Sequence, residues 1–216
     1  MIKALLFDFD GTLVDTNELI IQSFMEVLGE KFPGQFTRTD CIQLIGPSLR
    51  QTFERLTPND VEGMITKYRA HNESHYDELV KEYDGVVETL HELHAMGIRL
   101  VIVSSKTHDN IVRGLHKLGV AQLFEYVIGA DDVTHVKPHP EPIEKALQYL
   151  QLSKEEVIMV GDNSHDIEGG QNAGVKTAGV SWTIRGVEFL QTYNPDYMLE
   201  KMSDIITIVR EINEEN

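Results

Sequence analysis

Residues 4–16 read ALLFDFDGTLVDT, and this stretch carries the clearest strand signal in the chain. The continuous apolar run at residues 4–7 is typical of a strand covered on both faces, and Gly11 marks where that strand leaves the sheet. Asp8 and Asp10 therefore follow the carboxyl end of the strand. In an open parallel α/β sheet, this is the edge at which ligands bind.

The two aspartates predict a cation site. On a regular strand, two side chains separated by one intervening residue point to the same side, so Asp8 and Asp10 should lie close together. Two buried carboxylates repel each other, and an all-oxygen set of ligands suits Mg²⁺. The alternative is a strand-end turn in which the aspartates bond only to backbone amides.

Composition narrows the class of protein. The chain has 216 residues and a single cysteine, Cys41, so it can form no internal disulfide. Its 19 Lys and Arg against 35 Asp and Glu give a net charge of −16, which disfavours nucleic acid and anionic membranes as partners. No apolar run approaches the length of a membrane span, and MIKALLFDFD lacks the features of a leader. We expect a cytoplasmic protein.

The chain divides into a helical segment and an alternating remainder. Helical patterns dominate residues 17–80, with Thr39 or Asp40 expected to cap a short helix and Thr57-Pro58 to open a longer one. After that segment, strands alternate with helices. The predicted strands lie at residues 98–103, 124–128, 157–160, 176–180 and 197–199. We predict an α/β fold with a doubly wound parallel sheet. Its core domain comprises residues 1–15 and 82–216, and an inserted α-helical domain comprises residues 16–81.

Further polar residues follow other predicted strands. Ser104 lies in VSSK, Lys137 begins KPHPEP, and Asp162 and Asp166 lie in GDNSHD. Because the carboxyl ends of parallel strands meet at one edge, these groups should join Asp8 there. Together they provide the parts of phosphoryl transfer: a nucleophile, an acid and base, and positive charge around the phosphoryl oxygens.

DFDGTLVD, VSSK, the lysine of KPHPEP and GDNSHD, in this order, resemble the four motifs of the haloacid-dehalogenase superfamily of phosphatases. The helical segment matches in position the α-helical cap of its phosphoglycolate-phosphatase-like branch. The resemblance spans nearly the whole chain and implies a Rossmann-like core with a cap over the site.

The resemblance also implies roles for the motif residues. Asp8 would attack phosphorus and form an aspartyl phosphate, while Asp10 would protonate the leaving group and then activate water. The Mg²⁺ ligands would be Asp8, the backbone carbonyl of Asp10, and Asp162. Asp166 would bind a ligand water or Lys137.

Binding of the phosphoryl group is expected from side chains and backbone amides. Ser104 would donate its hydroxyl, with Ser105 beside it, and Lys137 would neutralise developing charge. The alternatives are an ordinary turn serine and a surface lysine. Backbone amides would complete an anion cradle, since glycine permits close approach of the main chain. These amides belong to Phe9, Gly11 and Thr12.

Other segments bear on the substrate. DTNELI, IGPSL, KYRAHNESHYDELV, SWTIRG and PDYMLEKMSD resemble the inorganic pyrophosphatases of the superfamily, which implies pyrophosphate as substrate. Asn17, Arg50 and Arg69 are candidates to bind its distal phosphoryl group, and each could instead be a surface residue or a helix cap. Three other functions stay open: a phosphatase for phosphoglycolate or another small phosphomonoester, a β-phosphoglucomutase-type mutase, and a non-catalytic phosphate-binding protein.

Overall fold

The computed structural model describes residues 1–214 as an α/β core carrying a helical insert. The strands are β1 (Ala4–Phe7), β2 (Val14–Asp15), β3 (Lys81–Glu82), β4 (Arg99–Val103), β5 (Phe124–Ile128), β6 (Val157–Gly161), β7 (Lys176–Val180) and β8 (Tyr197–Leu199). The α-helices are α1 (Asn17–Lys31), α2 (Arg38–Ile42), α3 (Leu49–Leu56), α4 (Val61–Leu79), α5 (Val86–Ala95), α6 (His108–Lys117), α7 (Glu141–Leu150), α8 (Ser164–Ala173), α9 (Val187–Gln191) and α10 (Asp204–Glu214). Within residues 1–214, no helix is long and apolar enough to cross a membrane.

The main sheet is parallel and has the strand order β5-β4-β1-β6-β7-β8. Strand β1 lies in the middle, with Phe7 opposite Ile102 of β4 and Val160 of β6. The chain runs outward from β1 through β4 to β5 and then returns to the other side of β1. The strand order therefore reverses between β1 and β6, and ligands of such sheets bind at this point.

Alternate residues of β1 enter two different hydrophobic layers. Leu5 and Phe7 belong to the layer that includes residues of α5, α6 and α10, whereas Ala4 and Leu6 belong to the layer that includes residues of α7. All four side chains are fully buried, as expected for a strand covered on both faces. The predicted doubly wound parallel sheet is confirmed.

The helical insert has a hydrophobic cluster of its own. Helices α1 to α4 supply its buried residues, with Phe24 packed against Phe53 and Tyr68 at ring-centroid distances of 6.0 and 4.8 Å. The chain enters and leaves the insert through a two-stranded antiparallel ribbon of β2 and β3. In this ribbon, Asp15 pairs with Lys81. The ends of the insert are therefore adjacent.

The first short helix of the insert begins earlier than the sequence predicted. Thr37 is the N-cap of α2: its hydroxyl accepts a hydrogen bond from the Asp40 amide, and the Asp40 carboxylate accepts one from the Thr37 amide. This reciprocal capping box excludes Asp40, and Thr39 before it, as the cap. The expectation that Thr39 or Asp40 caps this helix was wrong.

Thr57 follows the end of one helix and does not open the next one, as the sequence had predicted that it would. Helix α3, which the sequence did not predict, ends at Leu56, and the Thr57 amide closes it by donating to the Phe53 carbonyl at 2.7 Å. The long helix starts only at Val61. A threonine followed by proline is compatible with the end of one helix as well as the start of the next, because Pro58 ends the first helical pattern.

Candidate active site

Lys137 lies at the centre of the polar groups that follow the parallel strands. Its ammonium donates to the Val103 carbonyl and to Asp166 Oδ1, both at 2.6 Å, and lies 3.2 Å from Asp8 Oδ1. The side chain is only 2% exposed. Two of the three N–H donors of the ammonium are used in hydrogen bonds, and the ion pair with Asp8 is its third contact.

The buried carboxylates carry more negative charge than this lysine can balance. Burial is the main cause that raises the pKa of Asp8 to about 6; Lys137 opposes the rise, while Asp166 and Asp10 add to it. Burial also raises the pKa of Asp162 well above its usual value, with further contributions from Asp166 and Asp8. Carboxylates that resist ionisation for these reasons gain stability from a nearby cation.

The donor set fits a hard divalent cation. Oxygens of Asp8, Asp162 and Asp166 lie within 4.8 Å of one another. Among the described residues, Asp8 Oδ1 accepts no hydrogen bond beyond its ion pair with Lys137, and it is buried. Thr12 orients Asp162 with a hydroxyl hydrogen bond of 3.3 Å. A buried oxygen with unused lone pairs beside further carboxylates is an arrangement suited to Mg²⁺.

Asp166 has a different role from the other two carboxylates. One of its oxygens accepts from Lys137, and the other accepts from the Asn163 amide at 2.9 Å. Both oxygens therefore have partners within the protein. This matches the expectation that Asp166 binds Lys137, and it makes Asp166 the residue that orients the ammonium toward Asp8.

Asp10 has a lysine of its own. Lys106 Nζ donates to both carboxylate oxygens of Asp10, at 3.0 and 2.9 Å. Lys106 is the lysine of VSSK, and it was not among the residues predicted for the site. The signal was the position of Lys106 two residues after Ser104, in the turn that leaves β4, which directs it toward the same edge of the sheet as Asp10.

Gly11 is required by the turn between the two aspartates and the helical insert. Its φ of +78° lies in the left-handed region, and a Cβ atom there would lie 2.4 Å from Asp162 Oδ2. Its amide, which the sequence placed in an anion cradle, instead donates to the Val14 carbonyl at 2.8 Å. The tight turn uses this amide, so Gly11 acts through close approach to Asp162. The amides of Phe9 and Thr12 stay predictions.

Ser104 and Ser105 follow β4 and line the same cavity. The Ser104 oxygen accepts a hydrogen bond from the Lys106 amide at 3.4 Å, and hydrogen bonding by Ser104 lowers the pKa of Asp8. Ser104 is 7% exposed, whereas Ser105 is half-buried. The structure therefore places Ser104 at the cavity with Asp8 and leaves Ser105 as a more exposed residue of its wall.

A cavity of about 1030 Å³ lies between the sheet edge and the insert. Arg50 and Arg69 line it from the insert, and Asp8 and Asp10 line it from the core. Asn17 has another position: it is buried at the start of α1, and its side-chain amide donates to the Tyr83 hydroxyl at 3.3 Å. The structure thus places two of the three candidate insert residues at the cavity.

The insert contacts the core beside the carboxylate cluster. Asn163, which follows Asp162, donates its side-chain amide to the Ile45 carbonyl at 3.2 Å. Gly46 lies so close that a Cβ atom there would be 2.8 Å from Asn163 Oδ1 and 2.9 Å from His165 Nδ1. Sequence reasoning missed Asn163, because a contact between distant segments leaves no local pattern.

The fold, the strand-end carboxylates and the buried lysine together define a hydrolase of a known class. The chain matches the haloacid dehalogenase-like hydrolase family over residues 5–180 and belongs to that family. It is 51% identical over 212 residues to the pyrophosphatase PpaX of Bacillus anthracis, which covers 98% of both chains. It is 53% identical over 208 residues to PpaX of Anoxybacillus flavithermus, covering 96% of this chain and 97% of that one.

Solved structures show the same fold. A protein of Bacteroides fragilis described as a haloacid dehalogenase-like hydrolase is 28% identical, with a TM-score of 0.87 over 95% of this chain and 100% of its own. A haloacid dehalogenase-like hydrolase of Streptococcus pneumoniae is 24% identical, with a TM-score of 0.84 over 96% and 98%. The resemblance found in the sequence motifs is confirmed.

Proposed function

We propose that this protein is a Mg²⁺-dependent inorganic pyrophosphatase, which hydrolyses diphosphate to two phosphates. The observation that carries the proposal is the cavity lined from the core by Asp8, whose carboxylate is paired with Lys137, and from the insert by Arg50 and Arg69. Mg²⁺ and Lys137 would offset the charge of the phosphoryl group at Asp8, and the two arginines would bind the phosphoryl group at the other end of the substrate. Full-length relatives at 51% and 53% identity that are named pyrophosphatases support this choice of substrate.

Three groups would hold the cation: the carboxylates of Asp8 and Asp162 and the backbone carbonyl of Asp10. Bound there, Mg²⁺ would supply positive charge that draws the phosphoryl group to the site and stabilises charge developing on its oxygens. The oxygen cluster and the unused lone pairs of Asp8 support this assignment.

In the first half-reaction, an oxygen of ionised Asp8 attacks the nearer phosphorus. A bond forms between that oxygen and phosphorus, and the bond from phosphorus to the bridging oxygen breaks. The leaving group is phosphate, and Asp8 carries the phosphoryl group as an aspartyl phosphate. Lys137 is positioned to offset negative charge around Asp8, while Ser104 can turn its hydroxyl from Asp8 to a phosphoryl oxygen.

Asp10 is the general acid and then the general base of this mechanism. It gives a proton to the bridging oxygen as the first phosphate leaves and takes one from the water that hydrolyses the aspartyl phosphate. The two Lys106 contacts hold the Asp10 carboxylate in one orientation. Phosphate is a good leaving group, so pyrophosphate makes a smaller demand on the acid than an alkyl phosphate does.

We further propose that residues 16–81 act as a cap over a core of residues 1–15 and 82–216. The separate hydrophobic cluster of the insert and the ribbon of β2 and β3 support a body that moves as a unit. Closure would exclude water from the aspartyl phosphate and bring Arg50 and Arg69 to the distal phosphoryl group. Asn17 has no part in this proposal, because its amide is bonded to Tyr83.

A second candidate is a phosphatase for small phosphomonoesters. The cavity of about 1030 Å³ is far larger than pyrophosphate, and part of its insert wall is apolar. This part includes Phe24, Leu49 and Ile65. An organic leaving group would bury apolar surface against that wall, which pyrophosphate does not use.

A phosphate-release assay separates these functions. The unmodified enzyme is assayed with pyrophosphate, phosphoglycolate, sugar phosphates and nucleotides, with and without Mg²⁺. We expect pyrophosphate to have the highest kcat/KM and release to require the cation. A higher kcat/KM for a phosphomonoester would favour the second candidate, isomerised sugar phosphate without release would identify a mutase, and no release from any compound would refute catalysis.

A further inference from the structure

A second group of metal-ligating side chains lies in the loop between β5 and α7 and at the first residue of α7. His135, His139 and Glu141 each offer a ligand atom, and these atoms lie within 4.8 Å of one another. The two imidazole rings stack with centroids 4.5 Å apart and an interplanar angle of 28°. His135 Nδ1 is 3.0 Å from Glu141 Oε2. No residue of this group belongs to the carboxylate cluster around Asp8.

The Glu141 carboxylate is fixed in place by the backbone. Its two oxygens accept from the Thr134 amide at 2.7 Å and the His135 amide at 2.9 Å. These bonds, that from Thr134 foremost, lower the pKa of Glu141 and keep it ionised at neutral pH. A carboxylate oxygen has two lone pairs, so Oε1, which accepts the Thr134 bond, retains capacity for a cation.

We propose that His135, His139 and Glu141 form a binding site for a transition-metal dication of the Zn²⁺ type. Imidazole is a borderline-soft ligand, and two imidazoles beside one carboxylate favour Zn²⁺, Ni²⁺ or Co²⁺ over Mg²⁺. The site leaves coordination positions for water, since two of its side chains are exposed and the third is partly buried. Hard carboxylates bind Mg²⁺ at Asp8 and Asp162 in our proposal, so the two sites select different metals by ligand type.

The site lies on the loop that also supplies Lys137. Lys137 is buried and extends toward Asp8 and Asp166, whereas His135 and His139 on either side are exposed and contribute to the cavity wall. A metal held by His135 and His139 therefore cross-links the two ends of the segment that positions the ammonium. This places the proposed ion at the rim of the active cavity and not on a remote surface.

The chain contains a natural control for the histidine pair. His71 and His75 on α4 also stack, with ring centroids 4.1 Å apart. Their Nδ1 atoms contact the Ser23 hydroxyl and the His71 carbonyl. Within the described residues, this pair has no third His, Cys, Asp or Glu close enough to complete a metal-binding group. The pair on α4 is therefore stacked histidines without a carboxylate, whereas the pair of His135 and His139 has the Glu141 carboxylate beside it.

The test is a calorimetric titration of the full-length protein. Zn²⁺ is the titrant, the buffer contains excess Mg²⁺, and no substrate is present. We expect one Zn²⁺ to bind per chain in the unmodified protein. His135→Ala and His139→Ala should each weaken this binding by about tenfold or more, since even the loss of a supporting residue costs this much at metal sites. Glu141→Gln should weaken it as well. The double variant His71→Ala/His75→Ala should bind as the unmodified protein does.

Circular dichroism of each variant checks that the fold is retained, which is expected because His135 and His139 are exposed. Unchanged Zn²⁺ affinity in both His135→Ala and His139→Ala would overturn the proposal. So would a loss confined to Asp162→Asn, which would place the ion in the carboxylate cluster, or a lack of Zn²⁺ binding in excess Mg²⁺. Pyrophosphate hydrolysis plays no part in the readout, so the result is independent of the proposed function.

Discussion

The floor and the wall of the active cavity are built in opposite ways. The floor is the end of the cavity at Asp8 and Lys137, which follow strands of the main sheet and are buried. The two side chains form an ion pair, and the Lys137 ammonium also donates to the Val103 carbonyl. On the wall, Arg50 lies on helix α3 with its side chain 56% exposed and paired with Glu54 and Glu62, which are themselves exposed. In the proposed function, the chemistry therefore depends on buried groups, and recognition of the distal phosphoryl group depends on exposed ones.

The two regions also differ in what their ion pairs contribute. An exposed pair such as Arg50 with Glu62 adds little to stability because water screens it, so Arg50 can leave it for a phosphate at little cost. Removing one member of a buried pair typically costs about 3 to 5 kcal/mol, because it leaves an uncompensated charge. Replacing Lys137 should thus lower both the free energy of unfolding and turnover. Replacing Arg50 should instead affect the choice of substrate.

The largest effect is expected for Asp8→Asn. An amide cannot form the aspartyl phosphate, so kcat for pyrophosphate should fall on the order of 10⁴-fold or more. The fold should persist, because burial already disfavours the charged form of Asp8. Steady-state hydrolysis and thermal unfolding measure the two effects. Asp84→Asn, an exposed control, should change neither, and substantial turnover by Asp8→Asn would exclude Asp8 as nucleophile.

Removal of the divalent cation is expected to have the next largest effect. Chelation should lower the rate on the order of 10³-fold, which corresponds to the several kcal/mol that a metal contributes to charge stabilisation. Added Mg²⁺ should restore the rate, while Ca²⁺ should restore much less, because its looser coordination misplaces the nucleophile. Phosphate release in metal-buffered solutions provides the measurement. Equal rates with Ca²⁺ or without metal would contradict the proposed site.

Lys137→Met tests the floor in a different way. It leaves Asp8 and Asp166 without their shared cation, so we expect a loss of about 3 to 5 kcal/mol in the free energy of unfolding. We also expect kcat to fall by about 10² to 10³. Urea denaturation in the presence of chelator measures the first and pyrophosphate hydrolysis the second.

Lys67→Met is the matched control for that variant. Lys67 pairs with Glu30 on the surface and is 53% exposed, so its loss should change the unfolding free energy by about 1 kcal/mol or less. If the two lysine variants were equally stable, the buried ion pairs would not distinguish the floor from the wall.

The smallest effect is expected on the wall. Arg50→Ala or Arg69→Ala should lower kcat/KM for pyrophosphate by roughly tenfold or more, because a lost charged hydrogen bond typically costs about 1.5 to 3 kcal/mol. A small aryl phosphate has no distal phosphoryl group, so its hydrolysis should change little. Arg55→Ala, on the same helix but outside the cavity lining, should affect neither substrate. A proportional loss with both substrates would assign the arginines to closure or folding.

The sequence predicted the sheet well because its signals are local. Buried strands such as β1 and β6 are short apolar runs bounded by polar turns, and parallel connection forces their polar ends to one edge. The grouping of Asp8, Lys137 and Asp162 followed from that rule alone. In the insert, where helix caps decide the boundaries, several residues qualified as caps, and hydrogen bonds at Thr37 and Ser48 determined the result.

Contacts between distant segments could not be predicted. The bond of Asn17 to Tyr83 and the contact of Asn163 with Ile45 each join segments that a local pattern does not relate. Asn17 is instructive, because an asparagine near the catalytic turn is equally compatible with solvent, substrate or a tyrosine. Only packing of the insert against the core decides among them.

The ribbon of β2 and β3 has a consequence for how such a protein can change over evolution. Because Asp15 pairs with Lys81, the insert is a closed loop whose ends stay together whatever its length. Doubling the length of a flexible closed loop adds only about 0.6 kcal/mol of closure entropy. Lineages could therefore enlarge, shorten or exchange these helices while the strands beneath keep their register. New substrate ranges would then arise by replacing one continuous piece of the gene.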